Sequence, residues 1–98
     1  MFDGLSIMTS FLAAFVHTDN GVTCSDRGFT DLSTAQECTD AVTYAKSFNS
    51  AARYQSAVSL STSPTGCIIN HSGSMYFNSY PTADRNNLYR SICRKGIM

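Results

Sequence analysis

Four cysteines in a chain of 98 residues constrain the fold more than any other feature of this sequence. A chain of that length buries only roughly 60 to 65% of the surface that its unfolded form exposes, so an apolar core alone gives it marginal stability. No two of the cysteines lie within the two to four residues that separate the ligands of a zinc knuckle. An even count in a short chain instead predicts two disulfides, formed among Cys24, Cys38, Cys67 and Cys93.

The charge balance argues against a function that depends on long-range electrostatics. Seven Lys and Arg residues against seven Asp and Glu residues give a formal net charge of zero, and charged residues make up 14% of the chain. Neither nucleic acid nor an anionic lipid surface is attracted from a distance. A polar but weakly charged composition and an even cysteine count favour an extracellular or cell-surface protein with no nucleic-acid partner. The alternative is a cytosolic protein with four buried thiols.

Residues 1–20 form an apolar N-terminal segment. Its run from residue 5 to residue 16 (LSIMTSFLAAFV) is about 18 Å long as a helix, against about 30 Å for a hydrocarbon core, so we expect no transmembrane span. The run has the length of a signal-peptide core, with Ala14 and Thr18 as cleavage positions. If it is retained, we expect a packing arm whose apolar helical face comprises Leu5, Met8, Leu12 and Phe15.

Residues 21–95 are predicted to be one module with a single helix near residues 34–47, followed by a tail of residues 96–98. Ser33 followed three residues later by Gln36 is a capping-box pattern, and Glu37 adds acidic charge to the first turn. An apolar stripe with three- and four-residue spacing then follows, made of Ala35, Cys38, Val42 and Ala45. Cys38 is therefore expected to point inward.

Strand patterns surround this helix. A turn signal at residues 19–21 predicts a short strand at residues 21–24, and residues 54–60 suggest a second strand with Tyr54, Ser56, Val58 and Leu60 on one face. The clearest signal is a hairpin of residues 66–69 and 74–78, and residues 88–94 form the last strand. The sum is an α+β fold, with one helix packed on a small antiparallel sheet.

Stability arguments do not decide which cysteines pair. Four cysteines allow three connectivities, and loop-closure entropy gives roughly 3 to 4.5 kcal/mol per bridge for any of them. The expected positions of the elements favour Cys38–Cys67, which joins the helix to the sheet, and Cys24–Cys93, which joins the first strand to the last.

Five short motifs occur in order over roughly residues 20–95. They are an early Cys24, the helix start Leu32-Ser33-Thr34-Ala35-Gln36-Glu37-Cys38, the turn Pro64-Thr65-Gly66-Cys67, then Tyr76-Phe77-Asn78 and finally Ile92-Cys93-Arg94. Their order and spacing together resemble a small module of secreted and surface proteins from microalgae, dinoflagellates and other protists. The resemblance implies a disulfide-bonded extracellular unit and nothing catalytic.

Convergent catalytic groups are scarce in this sequence. His71 lies at the predicted hairpin tip beside Ser72, but adjacent residues on a turn rarely face each other, and no Gly-x-Ser-x-Gly elbow occurs. Gly66 and Gly73 are isolated, so no phosphate loop is predicted. We expect no enzyme, no cofactor and no metal. A small hydrolase is an alternative only if a pocket holds His71 or His17 beside a carboxylate.

The C-terminal stretch is the one basic part of the chain. Four cations against one anion, Asp84, give it a charge of 4 − 1 = +3. We interpret it as a solvated strand face, and the alternative is a patch for an acidic ligand. The four cations are Arg85, Arg90, Arg94 and Lys95.

Aromatic and amide side chains are the candidate ligand contacts. Tyrosines stack on sugar faces, while their hydroxyls and neighbouring amides bind hydroxyl groups. Asn70-His71-Ser72 is the sole Asn-x-Ser/Thr sequon, which predicts glycosylation at Asn70 in a eukaryotic secretory pathway. The ligand-binding candidates are Tyr76, Asn78, Tyr80, Asn86, Asn87 and Tyr89.

The sequence thus favours a non-enzymatic extracellular binding or adhesion module, with a glycan or a cell-surface polymer as its partner. The alternative is a structural subunit of a surface filament or coat, which self-associates through the apolar arm of residues 2–16.

Overall fold

One mixed sheet carries the fold, and a short helical segment packs on one of its faces. The computed structural model describes residues 15–81 and 84–95. Its elements in chain order are β1 Phe15–His17, a 3₁₀ turn Ser25–Arg27, β2 Thr30–Asp31, α1 Ala35–Asp40, α2 Val42–Ala45, β3 Arg53–Val58, β4 Gly66–Asn70, β5 Ser74–Asn78 and β6 Tyr89–Arg94. The α+β class predicted from the sequence is confirmed.

The sheet has the strand order β1-β6-β4-β5-β3, and β2 also pairs with β6. The predicted hairpin is present, because β4 and β5 pair from Gly66 opposite Asn78 to Ile69 opposite Met75. The sheet is not purely antiparallel as expected, since β3 runs parallel to β5 at its edge. This pairing arises because the connection 59–65 crosses the end of β5 before the chain enters β4, so the next strand in sequence is not the neighbour of β3 in space.

The helix begins one residue later than the sequence pattern suggested. Thr34 is the N-cap, and its hydroxyl accepts a hydrogen bond from the Glu37 N–H at 3.1 Å. Glu37 in turn accepts from the Ser33 N–H at 2.7 Å and forms an ion pair with Arg94 on β6. Thr34 and Glu37 therefore cap the helix instead of Ser33 and Gln36, and the return bond of Glu37 goes to the residue before the N-cap. The helix is divided at Ala41, between α1 and α2.

The first strand lies earlier in the chain than predicted. Residues 21–24 form no strand in the part of the chain that the structure describes, because Gly21 adopts a positive φ of 80° and turns the chain away. Instead β1 pairs with β6, with Val16 opposite Cys93, and Phe15 belongs to the core. Cleavage after Ala14 would keep β1, whereas cleavage after Thr18 would remove it. Leu5, Met8, Leu12 and the tail of residues 96–98 lie outside the described residues.

Strand alternation gives the sheet two different faces. The helix-covered face holds the core, in which α1 and α2 pack on strand residues that include Cys67, Ile69, Met75 and Ile92. The loop-covered face carries the alternate residues Ile68, Tyr76, Asn78, Tyr89, Ser91 and Cys93. Because β5 and β6 both run antiparallel to β4, the connection 79–88 must pass from one end of the sheet to the other.

Each face has its own disulfide, and both pairs are the predicted ones. Cys38–Cys67 joins α1 to β4 on the helix-covered face, with Cα atoms 5.2 Å apart. Cys24–Cys93 joins the segment before the 3₁₀ turn to β6 on the loop-covered face, with Cα atoms 5.7 Å apart. No cysteine is free. Within residues 15–81 and 84–95, no helix has the length and apolar character needed to cross a membrane.

Candidate functional site

Two of the predicted ligand residues, Tyr76 and Tyr89, meet on the loop-covered face. Their ring centroids are 6.4 Å apart and the ring planes are nearly perpendicular, at 87°. The rings come from β5 and β6, which flank β4 and whose backbones are therefore about 9.5 Å apart. A separation of 6.4 Å between the rings means that they lean toward each other above β4, where Ile68 is fully buried. Both rings are half-buried, and neither hydroxyl has a hydrogen-bond partner in the described part of the chain.

Asn78 is a structural residue and not a ligand contact. It is fully buried, and its amide oxygen accepts hydrogen bonds from the N–H groups of Leu60 at 2.8 Å and Tyr80 at 3.2 Å. Its amide nitrogen donates to the carbonyls of Leu60, Ser63 and Pro64. These bonds hold the connection 59–65 against the end of β5. The sequence-based assignment of Asn78 was therefore wrong, because no surface of its side chain is open to a ligand.

The remaining candidates differ in how much of their side chain is free. Asn86 is engaged within the loops, since its amide nitrogen donates to the Thr62 carbonyl at 3.1 Å and its oxygen accepts from the Leu88 N–H at 2.9 Å. Asn87 is exposed and lies against Gly21, where a Cβ atom would clash with the Asn87 amide oxygen. Tyr80 is half-buried and its hydroxyl has no partner in the described residues. Tyr76, Tyr80, Asn87 and Tyr89 thus keep side-chain groups available to a ligand.

The sequon occupies the turn between β4 and β5. The Asn70 amide oxygen accepts hydrogen bonds from the Ser72 N–H, the Ser72 hydroxyl and the Ser74 N–H, at 3.1, 2.8 and 3.0 Å. The amide nitrogen, which is the atom that carries an N-linked glycan, has no partner among the described residues. His71 and Ser72 are exposed. The predicted modification site is therefore open on an ordered turn.

A cleft that the sequence did not predict lies near this turn. It has a volume of about 260 Å³ and opens beside the start of β6, next to the helical segment. Its lining combines a cation, an imidazole, three amides and an apolar base, from Arg90, His71, Asn20, Asn49, Asn70, Phe48 and Ile69. In the sequence, His71 belongs to the hairpin tip and Arg90 to the basic C-terminal stretch. No sequence pattern joins them, because they meet only where β4 pairs with β6, with Ile69 opposite Arg90.

An aromatic cluster supports one wall of this cleft. The His17 ring stacks on Phe48 with centroids 3.7 Å apart, and its Nδ1 shares a hydrogen bond of 2.7 Å with the Tyr44 hydroxyl. Burial lowers the pKa of His17, and the nearby Arg90 cation lowers it further, while Asp19 acts in the opposite direction. Burial also raises the pKa of Tyr44. Both side chains therefore favour their neutral forms, which keeps this wall uncharged apart from Arg90.

The cleft does not hold the arrangement that the hydrolase alternative requires. His71 lines it, but none of the seven lining residues carries a carboxylate. His17 bonds to a tyrosine hydroxyl and not to an acid. In the described parts of the chain, no group of three or more His, Cys, Asp or Glu side chains is placed to hold a metal ion. What this lining can do chemically is donate hydrogen bonds and attract negative charge.

Comparison with known proteins adds no assignment, since no protein-family model, curated protein or solved structure matches the chain.

Proposed function

We propose that this protein is an extracellular binding module that recognises glycans through the tyrosine surface, defined as Tyr76, Asn87 and Tyr89. The Tyr76–Tyr89 pair carries the proposal. Two rings held in edge-to-face contact across a central strand are preorganised, so they lose little conformational freedom when a ligand binds. Sugars offer C–H faces to aromatic rings and hydroxyl groups to tyrosine hydroxyls and amides.

The two disulfides support a location outside the cytosol. Every cysteine is paired, and bonds of this kind persist in oxidising compartments such as the secretory pathway and the extracellular space. Glycosylation of Asn70 is part of the same proposal. Protein secreted by eukaryotic cells is expected to lose mass after enzymatic deglycosylation, and a Ser72→Ala variant, which lacks the sequon, is expected to show no such loss. An unchanged mass for the unsubstituted protein contradicts this part of the proposal.

Binding to an array of neutral and acidic glycans, followed by calorimetry with the strongest neutral binder, tests the proposed surface. Tyr76→Phe and Tyr89→Phe keep the ring and remove the hydroxyl, so each is expected to weaken binding about two- to tenfold, the value of one hydrogen bond. Tyr89→Ala also removes the platform and is expected to weaken binding further. The melting temperature of each variant shows whether the fold is retained.

Tyr54→Phe is the matched control for these variants. Tyr54 is a half-buried tyrosine on β3 that packs against the core of the helix-covered face, so deleting its hydroxyl leaves the tyrosine surface intact. Its affinity for the glycan is expected to equal that of the unsubstituted protein. An array without signal, or an equal loss in Tyr54→Phe and Tyr89→Phe, contradicts the proposal.

Self-association through residues 2–16 stays a separate prediction. Residues 15 and 16 belong to β1 and the remainder of the arm lies outside the described residues. A variant that starts at Phe15 keeps every strand of the described residues and tests the preceding part of the arm. Polymers that form with the arm and vanish without it, in sedimentation velocity at several concentrations, support the subunit function.

A further inference from the structure

The cleft beside β6 contains a cation whose hydrogen-bonding capacity is largely unused. Arg90 is half-buried, and its guanidinium carries five N–H donors. The structure accounts for one long hydrogen bond, from Nη1 to the Thr18 carbonyl at 3.5 Å. Arg90 forms no ion pair in the described parts of the chain, where Arg85 and Arg94 both do. Four donors are therefore left for a ligand.

The position of this guanidinium is set by the fold. Its central carbon lies 5.9 Å from the centre of the Phe48 ring, and that ring is itself fixed by stacking on His17. The contact between a cation and an aromatic face holds Arg90 at the cleft while adding no negative charge to it. A positioned guanidinium with free donors matches the geometry of a carboxylate, which it binds through two parallel hydrogen bonds.

Neutral hydrogen-bonding groups complete the lining. The side chain of Asn20 has no partner among the described residues. Asn49 also lines the cleft, although its amide already donates to the His71 carbonyl and accepts from the Ala51 N–H. Amides of this kind suit hydroxyl groups, whereas a second charged group on the ligand would find no counterpart in the cleft.

We propose that the cleft binds a small sugar acid, with the Arg90 guanidinium on its carboxylate and the free amide of Asn20 on its hydroxyl groups. The volume of about 260 Å³ lies just below the range of pockets for drug-sized ligands, which restricts the ligand to about one sugar residue. This site is independent of the proposed glycan surface, because Arg90 and Tyr89 are successive residues of β6 and so face opposite sides of the sheet.

Titration of the ¹⁵N-labelled, non-glycosylated protein with D-glucuronate, followed by NMR, tests the proposal. We expect saturable shifts of the amides of Asn20, Asn49 and His71, which line the cleft. D-glucose, which lacks the carboxylate, and acetate, which lacks the hydroxyl groups, are each expected to bind at least tenfold more weakly. Equal affinity for either of them, or no saturable shift at millimolar glucuronate, overturns the proposal.

Matched charge changes separate a specific contact from general attraction. Arg90→Gln is expected to weaken glucuronate binding about ten- to a hundredfold, and Arg90→Lys, which keeps the charge but not the bidentate geometry, by a smaller factor. Arg27→Gln makes the same change in net charge at an exposed arginine of the 3₁₀ turn that does not line the cleft, so it is expected to leave the affinity unchanged. An equal loss in Arg27→Gln and Arg90→Gln contradicts the proposal. Tyr89→Phe is expected to bind glucuronate normally, which distinguishes failure of this site from failure of the glycan surface.

Discussion

The two faces of the sheet are stabilised by different kinds of interaction. On the helix-covered face, α1 and α2 bury Leu32, Ala41, Ala45, Met75 and Ile92 around the Cys38–Cys67 bridge. On the loop-covered face, the connections 18–28, 59–65 and 79–88 lie against the sheet, and most of what holds them is polar. One face is an apolar core, and the other is a network of hydrogen bonds around a disulfide.

Two sets of contacts illustrate the polar network of the loop-covered face. At one end Asn78 makes five hydrogen bonds to the connection 59–65 and to Tyr80. Elsewhere Asp26 forms an ion pair with Arg85, and Asn86 bonds to Thr62, so that the three connections are joined to one another as well as to the sheet. The proposed glycan surface lies on this face, where the connections leave the Tyr76 and Tyr89 rings half-exposed.

The difference between the faces follows from how each of them is covered. In the part of the chain that the structure describes, α1 and α2 cover one face of the sheet with apolar side chains. The second face is closed by loops, and loops bring backbone groups that must be hydrogen-bonded. Polar side chains are thus needed on that face for structure, and some of them remain available for binding.

Removing the disulfides is expected to cause the largest loss in the free energy of unfolding. Each double variant is expected to loosen mainly the face to which its bridge belongs. The bridges close loops of 69 and 29 residues, so loop-closure entropy predicts losses of about 4.4 kcal/mol for Cys24→Ala/Cys93→Ala and about 3.6 kcal/mol for Cys38→Ala/Cys67→Ala. Urea unfolding measures both. In hydrogen exchange, loss of Cys24–Cys93 is expected to expose residues 18–28 while α1 stays protected, because the helix keeps its apolar contacts.

The opposite result in hydrogen exchange would contradict the conclusion that each disulfide stabilises its own face. If removing Cys38–Cys67 loosens residues 18–28, or if removing Cys24–Cys93 exposes α1 first, the two faces are not independently stabilised. A loss of less than about 1 kcal/mol in either double variant would show that the bridge does not constrain the unfolded chain as the loop-closure argument requires.

Two fully buried residues of β5, Met75 and Asn78, allow the faces to be compared within one strand. Met75 faces the helix side and Asn78 the loop side, and truncation of either to Ala is expected to cost about 3 kcal/mol. Replacement by Leu distinguishes them. Met75→Leu conserves an apolar volume and is expected to cost less than about 1.5 kcal/mol. Asn78→Leu leaves three carbonyls and two N–H groups without their partner, so it is expected to cost about as much as Asn78→Ala.

Asn87→Ala is the control for these substitutions, because Asn87 is exposed and makes no hydrogen bond within the described residues. It is expected to change the free energy of unfolding by less than about 0.5 kcal/mol. Equal tolerance of Leu at positions 75 and 78 would mean that the loop-covered face is held by apolar contacts and not by hydrogen bonds.

The helix-covered face was the more predictable of the two from sequence. Its residues recur with the helical period and with the strand period, which is why the stripe containing Cys38 and the hairpin containing Cys67 could be located, and why their pairing was favoured among the three connectivities. The predicted N-cap, Ser33, lies one residue before the observed one, Thr34, because serine and threonine are both favoured at that position. The choice between them depends on Glu37, which reaches back to Ser33 and across to Arg94, and the contact with Arg94 is not local.

The loop-covered face and the cleft depend on contacts between distant residues, and these left no local pattern. Its side-chain type makes Asn78 a candidate ligand contact in the sequence, because amides bind hydroxyl groups, but the connection 59–65 folds over it and uses its whole amide. Asn20, Phe48, His71 and Arg90 come from four separate parts of the chain and meet only after β4 pairs with β6. Composition and spacing therefore indicated the kind of side chain used, and only the topology showed where each one lies.

The smallest expected effect concerns protonation. The loop-covered face favours the charged form of an acid, whereas the helix-covered face favours the neutral form of a base. On the loop side, hydrogen bonds from the Thr23 backbone and hydroxyl, together with Arg85, lower the pKa of Asp26 despite an opposing effect of burial, so its carboxylate form is favoured. On the helix side, burial and Arg90 lower the pKa of His17, so its protonated form is disfavoured. Both groups destabilise the fold as the pH falls, Asp26 below about 3.8 and His17 below about 6.5.

NMR titration of the His17 ring measures the second of these shifts directly. The midpoint is expected below 6.5, because the folded protein binds the proton less tightly than the unfolded chain does. Stability therefore rises with pH between the lowered pKa and 6.5 and then levels off, and His17→Gln is expected to remove this contribution. In Arg90→Gln the midpoint should move toward 6.5 without reaching it, since burial, the larger cause, persists. A midpoint at or above 6.5 in the unsubstituted protein would mean that water reaches the His17 ring, and that the wall of the cleft is open where the stacking on Phe48 closes it.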